Sequence, residues 1–287
     1  MKQPVIWIDG CSEAASSYET WSDVPSFFIQ EDAHLRDAFE RTAKMTEPLV
    51  VIQGDDAFVS RVLTMAHRLK DLAADLFFLP LDIGTGFCVV ASSLGIPADS
   101  KKAAKQCYKA IRQARLKHHY LPMLRWTSSS QPAAKLAFQV GLGDMVPLLA
   151  RRASDPLGGV LTLVSGVVQQ LAQSEEDHSA RMTIDHRPAQ LRGFMIASAL
   201  KRSWFDLDMS THPLAYRQGE SIGELAQSIV KSQVPLAKLR SDDKVQPFQT
   251  ITWDGCVPCV VDGQPYQPTC DEVCALSGGP NAPLIAW

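Results

Sequence analysis

The chain has 287 residues, 46% of them hydrophobic and 21% charged, with a formal net charge of −3. That length suits two modest domains, and the apolar share excludes a wholly disordered chain. The mildly acidic balance excludes a surface that is all nucleic-acid footprint and leaves a local basic groove open; no nucleic-acid partner is expected. Seven cysteines, odd in number and not dense, imply no disulfide scaffold.

The opening MKQPVIWIDG reads as a buried strand, because no signal-peptide apolar core or small-residue cleavage site follows. No stretch reaches the ~18 apolar residues that span a bilayer. The nearest approach, Leu157 to Ala172, reads as a core helix. The expected setting is the cytoplasm, with any membrane contact peripheral.

Val5 to Ile8 forms the first apolar run and ends at Asp9-Gly10, and Ser26 to Ile29 forms the second. Ala33 to Lys44 is helical in pattern, with Leu35, Ala38, Phe39 and Thr42 on one face. Pro48 to Ile52 is another β-branched run, closed by Gln53-Gly54-Asp55-Asp56. Phe58 to Leu72 reads as a helix, Leu76 to Leu79 as a strand, and Gly84-Thr85-Gly86 lies just beyond it. Alternating strands and helices predict a parallel sheet wrapped by helices. Ligands of such sheets sit beyond the carboxyl ends of the strands, where both glycine loops fall.

The texture changes after a basic helix expected over Lys101 to Lys117. His119 to Trp126, Lys135 to Val140, Arg181 to Asp185, Leu191 to Ala197 and Phe205 to Met209 read as short strands. Val245 to Asp254 and Val257 to Val261 read as a hairpin-like pair around Asp254-Gly255, and Val261-Asp262-Gly263-Gln264 as a further turn. The predicted division is an α/β domain over 1–116 and a β-rich, sandwich-like domain over 117–287.

The standard phosphate loop, the G-x-G-x-x-G fingerprint and the G-x-S-x-G elbow are all absent. What remains is two loops after strands, Gln53–Ala57 and Asp82–Gly86. Small residues there let backbone N–H groups approach an anion at the positive end of a helix. The plain alternative is a turn and helix cap.

The order of these features resembles the diacylglycerol kinase catalytic family, which includes the sphingosine, ceramide and bacterial lipid kinases. Its nucleotide loop reads G-G-D-G-T, matched by Gln53-Gly54-Asp55-Asp56-Ala57. Its second signature, P-x-G-T-G-N-D followed by L-G-I-P, is matched by Pro80 to Cys88 and then Leu94-Gly95-Ile96-Pro97. The β-rich domain resembles the family's at Gln139 to Gly143 and at Val261 to Gln264. The resemblance implies a diacylglycerol kinase/NAD kinase-like fold, ATP and Mg²⁺ as cofactors, and phosphoryl transfer to the hydroxyl of diacylglycerol, ceramide or a sphingoid base. Nucleotide would lie against Gly54, Asp55, Asp56, Gly84, Thr85 and Gly86, with Asp55 acting on the metal or the hydroxyl. A membrane lipid is then the partner, and self-association into a homodimer stays open.

The departures suggest an alternative from another class: an inactive relative that binds lipid or nucleotide, or serves as a partner subunit. Gln53 and Asp56 replace two loop glycines, and Phe87-Cys88 replaces the family's Asn-Asp. A carboxylate at 56 would repel a triphosphate unless Mg²⁺ lay between them. Gln218 stands where the family has an acid tied to catalysis, and an amide cannot accept a proton at neutral pH.

Other clusters have plainer readings. Cys256-x-x-Cys259 with Cys270-x-x-x-Cys274 nears zinc spacing, yet buried thiols in a reducing cytosol are the favoured reading. His118-His119 reads as a domain-junction pair, and Asp206-x-Asp208 as a solvated face. The basic helix reads by default as a solvated face, with anionic lipid headgroups as its sharper alternative.

Overall fold

The computed structural model describes residues 5–10, 24–73, 75–81, 88–97, 100–144, 146, 180–201, 209, 213–219, 224, 245–255 and 257–287. Leu157–Ala172, Asp206 and Asp208, and the strand expected from Phe205, lie outside them. The chain divides into two compact units, Met1–Leu121 with Asn281–Trp287, and Pro122–Pro280. The sequence division at 116/117 falls at the start of a strand, whereas the units part within that strand and residues 281–287 join the first unit.

The first unit is a parallel sheet. Its strands are β1 (Val5–Asp9), β2 (Ser26–Phe28), β3 (Leu49–Gln53) and β4 (Phe77–Leu81), in the order β2-β1-β3-β4. Every residue of β3 is buried, which is why its sequence reads as a continuous apolar run rather than an alternation. Helix α1 (Asp32–Thr42) buries Leu35, Ala38, Phe39 and Thr42, the predicted stripe. Helix α2 (Asp56–Arg68) buries Val59, Val62, Leu63 and Ala66. The single helix expected over 58–72 breaks at Leu69 (φ −100°, ψ 49°), and a short α3 (Lys70–Ala73) follows.

After β4 come α4 (Val89–Ser93) and α5 (Ser100–Arg112). The basic helix is therefore shorter than its sequence suggests. Ala114 takes φ +51° and Arg115 N–H donates to Ala110 O, a left-handed exit that ends the helix before Lys117. Strand β5 (Lys117–Ser128) begins at once.

The second unit is antiparallel. Strands β6 (Lys135–Ala137), β7 (Gln139–Gly143), β8 (Ala180–Ile184), β9 (Arg187–Leu191), β10 (Phe194–Ser198), β11 (Ala215–Gly219), β12 (Val245–Pro247), β13 (Thr250–Asp254), β14 (Cys259–Val261), β15 (Gln264–Tyr266) and β16 (Val273–Ala286) follow in order. One sheet runs β12-β11-β10-β7-β14-β15. In the other grouping β13 lies between β16 and β8, β9 pairs with β8, and β5 pairs with β6. A shared core of Trp126, Val140, Met195, Trp253, Cys259, Cys274 and Leu276 fills the unit. Strand β16 pairs with β13 here, while its far end, at Leu284, lies beside Phe78 of β4 in the first unit.

Two strand expectations change. The expected Lys135–Val140 strand is two strands, β6 and β7. The pair around Asp254-Gly255 is not a hairpin: β13 and β14 belong to different sheets. Gly255 N–H donates to Glu272 O at 2.5 Å, and a Cβ on Gly255 would lie 1.8 Å from Thr269 O. The glycine serves a close backbone approach there. The true two-residue hairpins turn at Asp185-His186 (φ 49° and 64°) and at Asp262-Gly263 (φ 47° and 90°). Positive φ at both central residues is what the twist of paired strands favours.

Candidate functional site

The carboxyl ends of β1, β3 and β4 lie on one edge, and the loop after β3 is tied into it. Gly10 N–H donates to Gln53 O at 3.0 Å, and Gly54 N–H to Leu81 O at 3.1 Å. Gln53 is 1% exposed, and its Oε1 is buried without a hydrogen-bond partner. Above the two glycines stands the ring of Phe58, in the first turn of α2. Helical side chains lean toward the N-terminus, which carries this ring back over the loop. A Cβ on Gly10 or on Gly54 would lie 2.6 Å from a Phe58 ring carbon, so both positions require glycine.

Asp55 caps α2. Its backbone is extended (φ −77°, ψ 177°), and its Oδ1 accepts from Phe58 N–H at 2.8 Å. Burial pushes its carboxyl above the usual carboxylate range, with the Phe58 N–H bond pulling the other way. Asp56, 2% exposed, reaches another helix: Oδ2 accepts from Val89 N–H and Oδ1 from Val90 N–H, each at 3.0 Å. These are the first amides of α4. Cys88, at the cap position of that helix, makes no side-chain cap bond.

Two departures from the family pattern therefore form a pair. The Asn-Asp stretch that could cap α4 from its own sequence is Phe87-Cys88 here, and a carboxylate arrives instead at position 56, where the pattern has glycine. Sequence reasoning treated Asp56 as a charge that would repel phosphate. In the structure that charge already meets two helix-start amides, the groups that an incoming anion would seek.

The family resemblance implies ATP and Mg²⁺, and the described part of this loop does not fit them. The α4 amides hold Asp56, the foremost α2 donor holds Asp55, and the Phe58 ring covers the glycines a phosphate would approach. Among the described residues no three His, Cys, Asp or Glu side chains gather to hold a metal. Gly84, Thr85 and Gly86, the other half of the expected nucleotide site, lie outside the described residues.

The remaining candidates separate. Gln218 donates from Nε2 to Gln190 O at 2.7 Å, so this amide ties β11 to β9. Asp262 is 3% exposed and accepts from Phe138 N–H and Gln139 N–H. The His118 ring stacks on Phe77, with centroids 4.2 Å apart. Cys270 is disulfide-bonded, contrary to the expectation of reduced thiols, and Cys256 lies outside the described residues. Cys259 and Cys274 are free and buried; burial raises both thiols, Cys274 to about 12, which makes them poor metal ligands or nucleophiles. Sequence reasoning missed Glu272, whose carboxylate accepts from Ser130 and Tyr266 hydroxyls and from Thr269 N–H. Hydrogen bonding from Ser128 above all, then from Ser130 and Tyr266, holds it at about 2, below its usual range.

No family model matches the chain, and no curated protein matches it. Solved structures do. A candidate diacylglycerol kinase from Bacillus anthracis str. Sterne is 12% identical, with a TM-score of 0.58, covering 97% of this chain and 94% of that one. An NAD kinase from Archaeoglobus fulgidus, solved in complex with ATP, is 12% identical, with a TM-score of 0.50, covering 99% of this chain and 92% of that one. The chain thus has the two-domain diacylglycerol kinase/NAD kinase-like fold, a parallel sheet with helices followed by a β-rich region. Among the described residues no helix is long and apolar enough to cross a membrane.

Proposed function

We propose that this chain is a lipid-directed protein of kinase fold that binds rather than turns over, its triphosphate cradle replaced by internal contacts. One observation carries the reading: the Asp56 carboxylate occupies the Val89 and Val90 amides beside a Phe58 ring laid over Gly10 and Gly54. A phosphate entering there must displace a buried carboxylate and an aromatic ring together. The lipid direction comes from the family resemblance and from the name of the Bacillus neighbour.

A second reading, an ATP-dependent lipid kinase, has Asp55 in its favour. A carboxyl raised by burial has more proton affinity toward a lipid hydroxyl than an ordinary aspartate. Purified protein with ATP·Mg²⁺ and short-chain, water-dispersed diacylglycerol, ceramide and sphingoid base separates the two. The binding reading expects no phosphorylated lipid, no ATP-dependent rise in melting temperature, and a rise with one of the lipids. Phosphorylated lipid that falls by about 10²–10⁴ in Asp55→Asn would establish the kinase instead.

A further inference from the structure

The cations of this chain are gathered. Residues 100–143 contain nine of the 28 Lys and Arg residues and none of the 31 Asp and Glu residues. The remainder of the chain is correspondingly acidic. Helix α5 lies within this stretch and buries Ala103, Ala104, Cys107, Ala110 and Ile111. Its opposite side exposes Lys102, Lys105, Lys109 and Arg112, a row at helical spacing along about 15 Å. Arg115 and Lys117 are also exposed, just beyond the helix in sequence, and Tyr120, 60% exposed, follows in β5.

We infer that this face docks on the surface of an anionic bilayer. The apolar side of α5 is already used within its own unit, so the helix cannot insert and contact must come from charge at headgroup level. Lysine predominates, a hydrated point charge suited to a diffuse anionic layer rather than to paired recognition of nucleic-acid phosphates. The helix's own arginine is engaged, its guanidinium lying 5.7 Å from the Tyr108 ring centroid. The exposed Tyr120 has the amphipathic ring that favours a membrane–water boundary. The inference deepens the lipid-directed reading and rests on it for what the membrane would supply. Its test is separate, because vesicle binding without nucleotide reads the surface, whereas short-chain lipids read a binding site.

Co-sedimentation with vesicles of phosphatidylcholine, alone or mixed with phosphatidylserine, decides the point. Binding is expected only to the mixed vesicles and should weaken steeply with added salt. Lys105→Ala, Lys109→Ala and Arg115→Ala combined should weaken it about a hundredfold, at roughly fivefold per cation near an anionic leaflet. All three side chains are exposed, and an unchanged melting temperature would show that the fold is kept. Failure to bind the mixed vesicles, equal binding to phosphatidylcholine alone, an unaffected triple variant, or tighter binding to duplex DNA would each overturn the inference.

Discussion

Asp56 in the first unit and Asp262 in the second do the same work in opposite settings. Each is buried, and each accepts from two consecutive backbone amides far away in sequence, Val89 and Val90 for one, Phe138 and Gln139 for the other. Asp262 does so from a left-handed hairpin turn, joining strands where a structural acid is unsurprising. Asp56 does so at the ligand edge of a parallel sheet, where an acid invites a functional reading. The comparison teaches that an acid's place in a fold does not define its role; its partners do.

The largest effect should come from removing these acids. Asp262→Ala leaves two buried amides unpaired, at about 1–3 kcal/mol each, and places alanine at φ +47°, a left-handed strain of about 1–2 kcal/mol. Asp56→Ala should lose less, about 2–4 kcal/mol, because Val89 N–H is only partly buried and can turn to water. Urea midpoints of both variants measure the difference. A silent Asp56→Ala would break the parallel and return the loop to the list of open anion sites.

Gly54→Ala comes next. The new Cβ meets the body of the Phe58 ring at 2.6 Å, an overpacking expected to lose about 1–3 kcal/mol. Phe58→Leu in the same chain should recover part of that loss, a coupling that only direct contact produces. Additive losses would mean that the ring does not lie over this glycine.

The smallest effect, and of opposite sign, belongs to Asp55→Asn. Asparagine caps as well as aspartate, and it removes a charge that burial disfavours. The folded-state pKa lies above the ordinary 3.8, so the penalty is absent below 3.8 and complete once pH exceeds the folded value. The variant should therefore melt slightly higher than the parent at pH 7, and the gap should close on acidification. Melting curves across that range check the sign.

Much of the fold was legible because its signals are local. Continuous apolar runs announced β1, β3 and β4, and the spacing of Leu35, Ala38, Phe39 and Thr42 announced α1. Asp254-Gly255 misled because its turn signal is local while its partner, the Glu272 carbonyl, is not. Asp55 could be read as a cap from its position before a helical pattern. The partners of Asp56 could not, since 33 and 34 residues separate it from the amides it holds. The paired loss of glycine at 56 and of Asn-Asp at 87–88 was visible, but only the fold joins the two changes into one exchange. Phe58 read as an ordinary apolar helix residue: its lean toward the N-terminus follows from helix geometry, but only the fold brings Gly10 beneath the ring.

The path of β16 bears on the order in which the molecule can be made. Residues 281–287 complete the first unit, yet they leave the ribosome only after all of Pro122–Pro280. During synthesis the edge of β4 that receives Leu284 must wait, with Phe78 lacking its neighbour, while the whole second unit emerges. An exposed edge of that kind is where chaperones bind and where nascent chains aggregate. Damage to residues 281–287 would therefore be felt in a unit translated well before them.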